Sequence, residues 1–324
     1  MIDSVFLLQT TAENAILMTI LNIIGDFMLR KSLCFIAVIL CLLSLAGCGA
    51  DKPAVKIDGE GVPQGVYDYF YDEVSDSADN AKQETEKLCR NYIATSRLMK
   101  QEGITLSTNH KRQIADETEK VWSIFSAYYE SIGITKQDIT AIKTWEYSKK
   151  ELLNFYYGTG GRGEVSQEKL RERFAQTYVG FRAVEASFTK LSDMGESIEM
   201  ADSEKKELRS TFKNMAEKVS AGVDIDSVNE SYNEGMGLIV TGTLNLTVIK
   251  ESDPVYGEAF FAQVKELSYG KAAVIESGSN IYMLQRVRVD NDDETFSLYA
   301  AEVLEDMKMA SVEKKIEKLA GSFE

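Results

Sequence analysis

A histidine is the side chain best suited to proton transfer near neutral pH, and this 324-residue chain has one, His110. It follows Asn109 in a polar stretch, where a solvated helix residue is the expected role. A Ser-His-Asp or Cys-His set would have to be built on it alone. Gly158, Gly160 and Gly163 match G-x-G-x-x-G, but a dinucleotide loop needs a strand just before it, and here a helical pattern precedes it. A phosphate loop needs Lys-Ser/Thr after the last glycine, and Glu164-Val165 follow. The run is therefore read as a linker. "DNDDE", residues 290–294, has acids at alternating positions but no glycine at the sixth position of a calcium loop. Acids at a helix N-terminus are the expected reading. Neither a metal nor a cofactor is expected.

One residue carries a different chemistry. Leu45-Ala46-Gly47-Cys48 looks like a lipobox, where the peptide is cut before the cysteine and the thiol takes a diacylglycerol. Arg30 and Lys31 supply a positive n-region, and residues 33–45, "LCFIAVILCLLSL", supply an apolar h-region. Residues 28–47 are read as a lipoprotein signal peptide, Cys48 as the lipidation site and residues 48–53 as a tether. Residues 1–27 are expected to precede the true start at Met28. Asn14, Asn22 and Asp26 interrupt their apolar character, and a membrane span needs about 20 predominantly apolar residues.

Charge narrows the partners. The chain holds 36 basic and 51 acidic residues. Removing Arg30, Lys31, Asp3, Glu13 and Asp26 with residues 1–47 leaves 34 and 48, a net charge of −14. No basic block is present, so nucleic acid is not expected as a partner. An acidic body is repelled by an anionic membrane, so attachment to the membrane is expected through the lipid alone. Cys34 and Cys41 leave with the signal and Cys48 is lipidated, so Cys89 has no partner for a disulfide. The fold must rest on its apolar core.

The elements that would position any site follow from periodicity. Val55–Ile57 reads as a short strand, Asp58-Gly59 as a tight turn, and Pro63 suits the start of a helix. Tyr67, Phe70, Tyr71 and Val74 recur at helical spacing. Helices follow over 81–102, ended by Gly103, and over 108–132. The second carries the stripe Val121, Ile124, Phe125, Tyr128, Tyr129 and Ile132. Thr135 with Asp138 resembles a capping box, opening a helix marked by Ile139, Ile142, Trp145, Leu152 and Tyr156. Residues 166–178 form another. From 180 the texture changes. "FRAVEASFTKL" alternates like a strand, 203–220 is a charged amphipathic helix, and "GVDIDSVNESY" is a turn and short helix. "GLIVTGTLNL" is strand-like, "PVYGEAFFAQVKEL" is helical, and "YGKAAVIES" with "NIYMLQRVRV" gives two strands. A long helix over 293–323 places Phe296, Tyr299, Val303, Met307 and Ala310 on one face. That face needs a partner, and the helical segment is the natural one.

This order resembles the SurA/PrsA family of extracytoplasmic chaperones and peptidyl-prolyl isomerases. "AVKIDGEGVPQGVYDYF" is similar to the family's strand-turn-strand opening, with Asp58 where Asn is usual. "YIATSRLMKQEGITLS", "YYESIGITKQDI" and "VSQEKLRERFAQTY" are similar to its successive helical motifs, and the resemblance spans most of residues 54–324. It implies an α+β chain: a discontinuous all-helical, SurA N-terminal-like chaperone domain (54–175 plus 290–324). A parvulin-like α+β domain (176–289) is inserted, and a C-terminal helix returns to the helical domain. The parvulin part matches less well. Active parvulins carry histidines in "H-I-L" on the first strand and "G-Y-H-I-I" on the last. Here those positions fall near residues 185–187 and on Tyr282, and the usual "G-G-D-L-G" reads Thr241-Gly242-Thr243-Leu244-Asn245 without its acid.

Prolyl isomerisation crosses a barrier of about 18–20 kcal/mol without a nucleophile, by stabilising a twisted amide in an apolar pocket. Without the histidine network, efficient catalysis is not expected, and a plain strand residue is the ordinary reading of Tyr282. The expected role is a membrane-anchored extracytoplasmic foldase or chaperone lipoprotein on the outer face of the bacterial cytoplasmic membrane, binding unfolded secreted polypeptides. Tyr67, Phe70, Tyr71, Trp122, Tyr128, Tyr129 and Trp145 are the peptide-binding candidates, of which several must instead be core. The alternatives are an active peptidyl-prolyl isomerase with an atypical site and a non-enzymatic structural or solute-binding lipoprotein.

Overall fold

Asp58 at φ 48° and Gly59 at φ 83° take the two left-handed positions of a tight hairpin turn. They join β1 (Val55–Ile57) to β2 (Glu60–Val62), with Val55 opposite Val62. The computed structural model describes residues 53–76, 79–239 and 242–323. The signal peptide, Cys48 and most of the tether lie outside them. The hairpin is held by Arg97, which donates from Nε to Glu60 Oε1 at 2.6 Å and from Nη2 to the Asp58 carbonyl at 2.7 Å.

Five helices follow: α1 (Gln64–Ser75), α2 (Ala81–Glu102), α3 (Thr108–Ser131), α4 (Lys136–Tyr157) and α5 (Gln167–Thr177). Their ends obey local chemistry. Gly103, at φ 70°, closes α2. Ser107 caps α3 by accepting from the His110 backbone N–H. Thr135 and Asp138 form the expected capping box on α4, with Thr135 N–H donating to Asp138 Oδ2 at 2.9 Å. The helices bury Phe70, Cys89, Ile93, Leu98, Leu152 and Phe174 in one core. Helix α9 (Asp293–Ala320) enters the same core with Phe296, Val303, Val312 and Ile316, lying against α2, α4 and α5.

Between α5 and α9 runs a four-stranded antiparallel sheet, ordered β6-β3-β8-β7: β3 (Tyr178–Ser187), β6 (Thr247–Lys250), β7 (Ala272–Ser277) and β8 (Asn280–Val287). Alternation gives it two faces. Val184, Ile281 and Met283 meet α6 (Asp202–Ser220) and α7 (Ile225–Gly235). Val179, Phe181, Ile249, Ile275, Tyr282 and Leu284 meet α8 (Gly257–Glu266). A short hairpin, β4 (Thr189–Leu191) with β5 (Ser197–Glu199), stands apart from the sheet. Gly180 is required where β3 passes the segment leading to α9, because a Cβ there would lie 2.3 Å from Val289 Cγ1. Mixed helix and sheet agree with the α+β expectation.

One expectation changes. "GLIVTGTLNL" does not form a strand over its described residues: 236–239 and 242–246 are turn or irregular, and β6 begins at Thr247. The α3 stripe is not core along its length. Ile114 and Thr118 are the buried residues of α3, whereas Ile124, Phe125 and Tyr128 are 63%, 49% and 49% exposed. The C-terminal half of the helix carries apolar residues that no described element covers.

Candidate functional site

The exposed half of α3 is built around Tyr129. Trp122 stacks on it with ring centroids 6.5 Å apart and planes 9° apart. Phe125 meets it at 6.3 Å, Tyr128 at 5.7 Å and Tyr69 of α1 at 6.2 Å. The spacing of Trp122, Phe125 and Tyr129 along α3 puts them on one side of the helix. Tyr128 donates its hydroxyl to Asp72 Oδ1 at 2.6 Å, tying α3 to α1, and Tyr69 donates to Glu73 Oε1 at 3.2 Å. The hydrogen bond to Asp72 raises the Tyr128 phenol, and burial raises those of Tyr129 and Tyr69, with nearby Asp72 and Glu73 adding to it. All three stay neutral: large apolar rings with one polar tip, suited to contacts that are greasy yet wet at the rim.

The seven candidate residues separate. Trp122, Tyr128 and Tyr129 come together on this surface, and Tyr71 is exposed on α1. Phe70 is not a surface residue. It is wholly buried, edge-on to Trp145 at 5.2 Å. Trp145 is half-buried, donates Nε1–H to Thr95 Oγ1 at 3.0 Å and lies under the Lys149 ammonium. Tyr67 is half-buried and packs on the helical core. Both Phe70 and Trp145 serve packing because their helix faces point at α2. Ile124, Phe125 and Tyr69 belong to the surface although sequence reasoning did not select them. Ile124 and Phe125 were visible in the sequence as members of the α3 stripe, whereas Tyr69, on α1, carried no such signal.

The second place to look is the sheet corner at Tyr282. Glu185 of β3 stands directly opposite Tyr282 of β8. Asn280 donates from Nδ2 to Glu185 Oε1 at 2.7 Å and lies 3.4 Å from the Tyr282 hydroxyl. The Tyr282 ring packs edge-on to Phe260 at 5.3 Å and to Tyr256 at 6.3 Å. Burial raises its phenol. A carboxylate, an amide and a neutral phenol beside an aromatic floor can hold a peptide by shape and hydrogen bonds. No histidine is among them. His110 lies elsewhere, at the start of α3, with Nδ1 2.8 Å from Glu151 Oε1 and its ring 5.0 Å from Tyr147.

The remaining motifs have local explanations. The glycine loop folds back on the end of α4, with Gly163 N–H donating to the Tyr156 carbonyl and Val165 N–H to that of Tyr157. Asp292 caps α9 through the Glu294 backbone N–H and the Thr295 hydroxyl. No cluster of three or more His, Cys, Asp or Glu among the described residues is arranged to hold a metal ion. None of the described helices is long and apolar enough to cross a membrane.

No family model matches the chain, and no curated protein matches it. Among solved structures it is similar to the foldase protein PrsA from Streptococcus pneumoniae str. Canada MDR_19A. The identity is 14%, the match covers 84% of this chain and 93% of that one, and the TM-score is 0.39. It is also similar to PrsA from Lactococcus lactis (14% identity, 82% and 90% covered, TM-score 0.38) and from Bacillus subtilis (10%, 85% and 93%, 0.32). Likeness at these scores carries no argument about activity.

Proposed function

We propose that this chain is an extracytoplasmic folding factor, anchored through a lipid on Cys48, that binds unfolded secreted polypeptides and acts by binding instead of chemistry. In this reading residues 54–175 plus 290–324 form the chaperone domain and residues 176–289 a parvulin-like domain inserted in it. One observation supports the binding role above the rest: the aromatic surface of α3, with Ile124, Phe125 and Tyr128 exposed around Tyr129. Contiguous exposed apolar surface of this kind marks an interaction site. It suits extended chains whose own apolar residues are not yet buried.

The test is suppression of aggregation of an unfolded protein. The full chain in non-ionic micelles should suppress it, and the triple change Ile124→Ser, Phe125→Ser, Tyr128→Ser should lose most of that effect. These residues are largely outside the core, so the fold should survive. Unaltered suppression would refute the reading. The Glu185–Asn280–Tyr282 corner supports a second reading, an isomerase with an atypical site. In a prolyl-peptide assay a rate abolished by Tyr282→Ala would move the protein into the enzyme class, and a background rate keeps it outside. The anchor has its own test. A palmitate analogue should label the wild type and not Cys48→Ala, and label persisting in the mutant would remove the lipoprotein reading.

A further inference from the structure

The apolar half of α3 that no described element covers has a charged border. Helix α1 beside it carries Asp68, Asp72 and Glu73 and no basic residue, and Asp76 is its C-cap. No lysine or arginine occurs between Lys56 and Lys82. Asp72, Glu73 and Asp76 thus gather at the helix end whose free carbonyls already make it negative, where a cation and not an anion is favourable. Packing does not account for them: Glu73 and Asp76 are exposed, and none of the three forms an ion pair among the described residues.

These acids touch the aromatic surface. Asp72 accepts the Tyr128 hydroxyl at 2.6 Å, and Glu73 accepts that of Tyr69 at 3.2 Å. Asp76 lies one turn beyond both, and its charge, with that of Asp72, acts on Tyr128. The basic groups on the α4 side are already engaged. Lys136 pairs with Glu119, and Lys143 lies 2.8 Å from Glu146 and 3.8 Å from Glu117. Lys120 stands about 12 Å along α3 from Tyr128, more than a screening length at physiological salt. The surface is therefore apolar at its centre and negative along α1. An anionic bilayer is repelled by such a border. A second copy of this chain would bring a second set of the same acids to the patch.

We propose that this surface takes extended polypeptide segments in which lysine or arginine is interspersed among apolar side chains. The apolar side chains lie on Trp122, Ile124 and Phe125, and a basic one reaches Glu73 and Asp76 beside them. This preference rests on the folding-factor reading and sorts its clients: basic segments are taken before neutral or acidic ones of equal apolar content.

The experiment measures binding of four fluorescent decapeptides to the full chain in phosphatidylcholine nanodiscs, with empty nanodiscs as the blank. Three alternate leucine with lysine, glutamine or glutamate, and the fourth alternates serine with lysine. Affinity should fall in the order lysine–leucine, glutamine–leucine, glutamate–leucine, and the lysine–serine peptide should bind far more weakly than the first. The double change Glu73→Gln, Asp76→Asn, at exposed positions, should cut the preference for lysine over glutamine about fivefold, as for the loss of two exposed ion pairs. Glu168→Gln with Glu172→Gln, the same charge change on α5, should leave that preference unaltered. Equal binding of the lysine–leucine and glutamine–leucine peptides, both lost in the Ile124→Ser, Phe125→Ser, Tyr128→Ser variant, overturns the preference and leaves the folding-factor reading standing. Failure of the wild type to bind any leucine peptide overturns both. A preference for lysine that survives Glu73→Gln, Asp76→Asn, or that both double changes reduce equally, also overturns it. So does quenching of tryptophan fluorescence by brominated lipid that disappears in Trp122→Phe, which would give the surface to the bilayer.

Discussion

At the scale of single residues, Arg182 and Asp226 explain why the strand-like run ending at Leu246 is irregular at Leu244. Arg182 on β3 donates from Nη2 to both carboxylate oxygens of Asp226 at 2.5 Å, and from Nε to the Leu244 carbonyl at 2.9 Å. Asp226 in turn accepts the Leu244 backbone N–H at 2.7 Å. Both backbone groups of Leu244 are thus satisfied by side chains, and no ladder is needed there. The Arg182 hydrogen bond, with the one from Leu244, holds the Asp226 carboxyl below its ordinary range against the opposing effect of burial. A depressed folded-state value contributes stability above the unfolded value, about 3.9, and that stability disappears as pH falls through the folded value. Asp226→Asn should therefore cost about 1–3 kcal/mol near neutral pH, as for loss of charged hydrogen bonds. The deficit relative to wild type should shrink below about pH 4. Denaturant titrations of both proteins across that range would check it, and a deficit undiminished at acid pH would contradict this account. No sequence pattern pointed to the pair, because residues 44 apart in the chain meet only through the fold.

Elements were legible in proportion to the local signals that start and stop them. Gly103, Thr135 and the acids at 290–294 mark helix ends by chemistry that acts within one turn, so the end of α2 and the starts of α4 and α9 could be placed before any tertiary contact was known. The break between β3 and β4 and the strand β5 gave no such signal. Leu191 and Ile198 are exposed, so neither strand carries the alternation that burial imposes. The α3 stripe shows a related limit. Periodicity reports that a helix has an apolar face, and it cannot report how far the neighbouring helices extend. Ile114 and Thr118 meet neighbours, whereas Ile124 and Phe125 lie past them. Of the candidate site, the aromatic residues were visible as residue types, and Tyr282 was visible as a missing histidine. Sorting Trp122, Tyr128 and Tyr129 from Phe70 and Trp145 required knowing which face of each helix meets α2.

The whole molecule depends on its last helix. The apolar face at 293–323 needed a partner, and Phe174 on α5 supplies part of one, meeting Phe296 at 5.8 Å and Tyr299 at 5.7 Å. Val303, Val312 and Ile316 sit farther along in the same core as Cys89, Ile93 and Leu152. Burial there is complete enough to push the Cys89 thiol up to about 12. The sheet has cores of its own on both faces, made with α6, α7 and α8. Each buried large apolar side chain contributes about 1.5–3 kcal/mol. Removing Phe296, Val303, Leu304, Val312 and Ile316 together therefore costs an amount comparable with the whole stability of a domain, about 5–15 kcal/mol. Deleting residues 293–324 should abolish slow amide exchange in α2, α4 and α5, while β3, β8 and α6 keep theirs. Hydrogen exchange read peptide by peptide distinguishes the outcomes. Equal loss everywhere would mean that the sheet cannot stand without the helices. Unaltered protection in α2 and α4 would mean that α9 is an accessory to a core already complete, and the proposed discontinuous domain would fall with it.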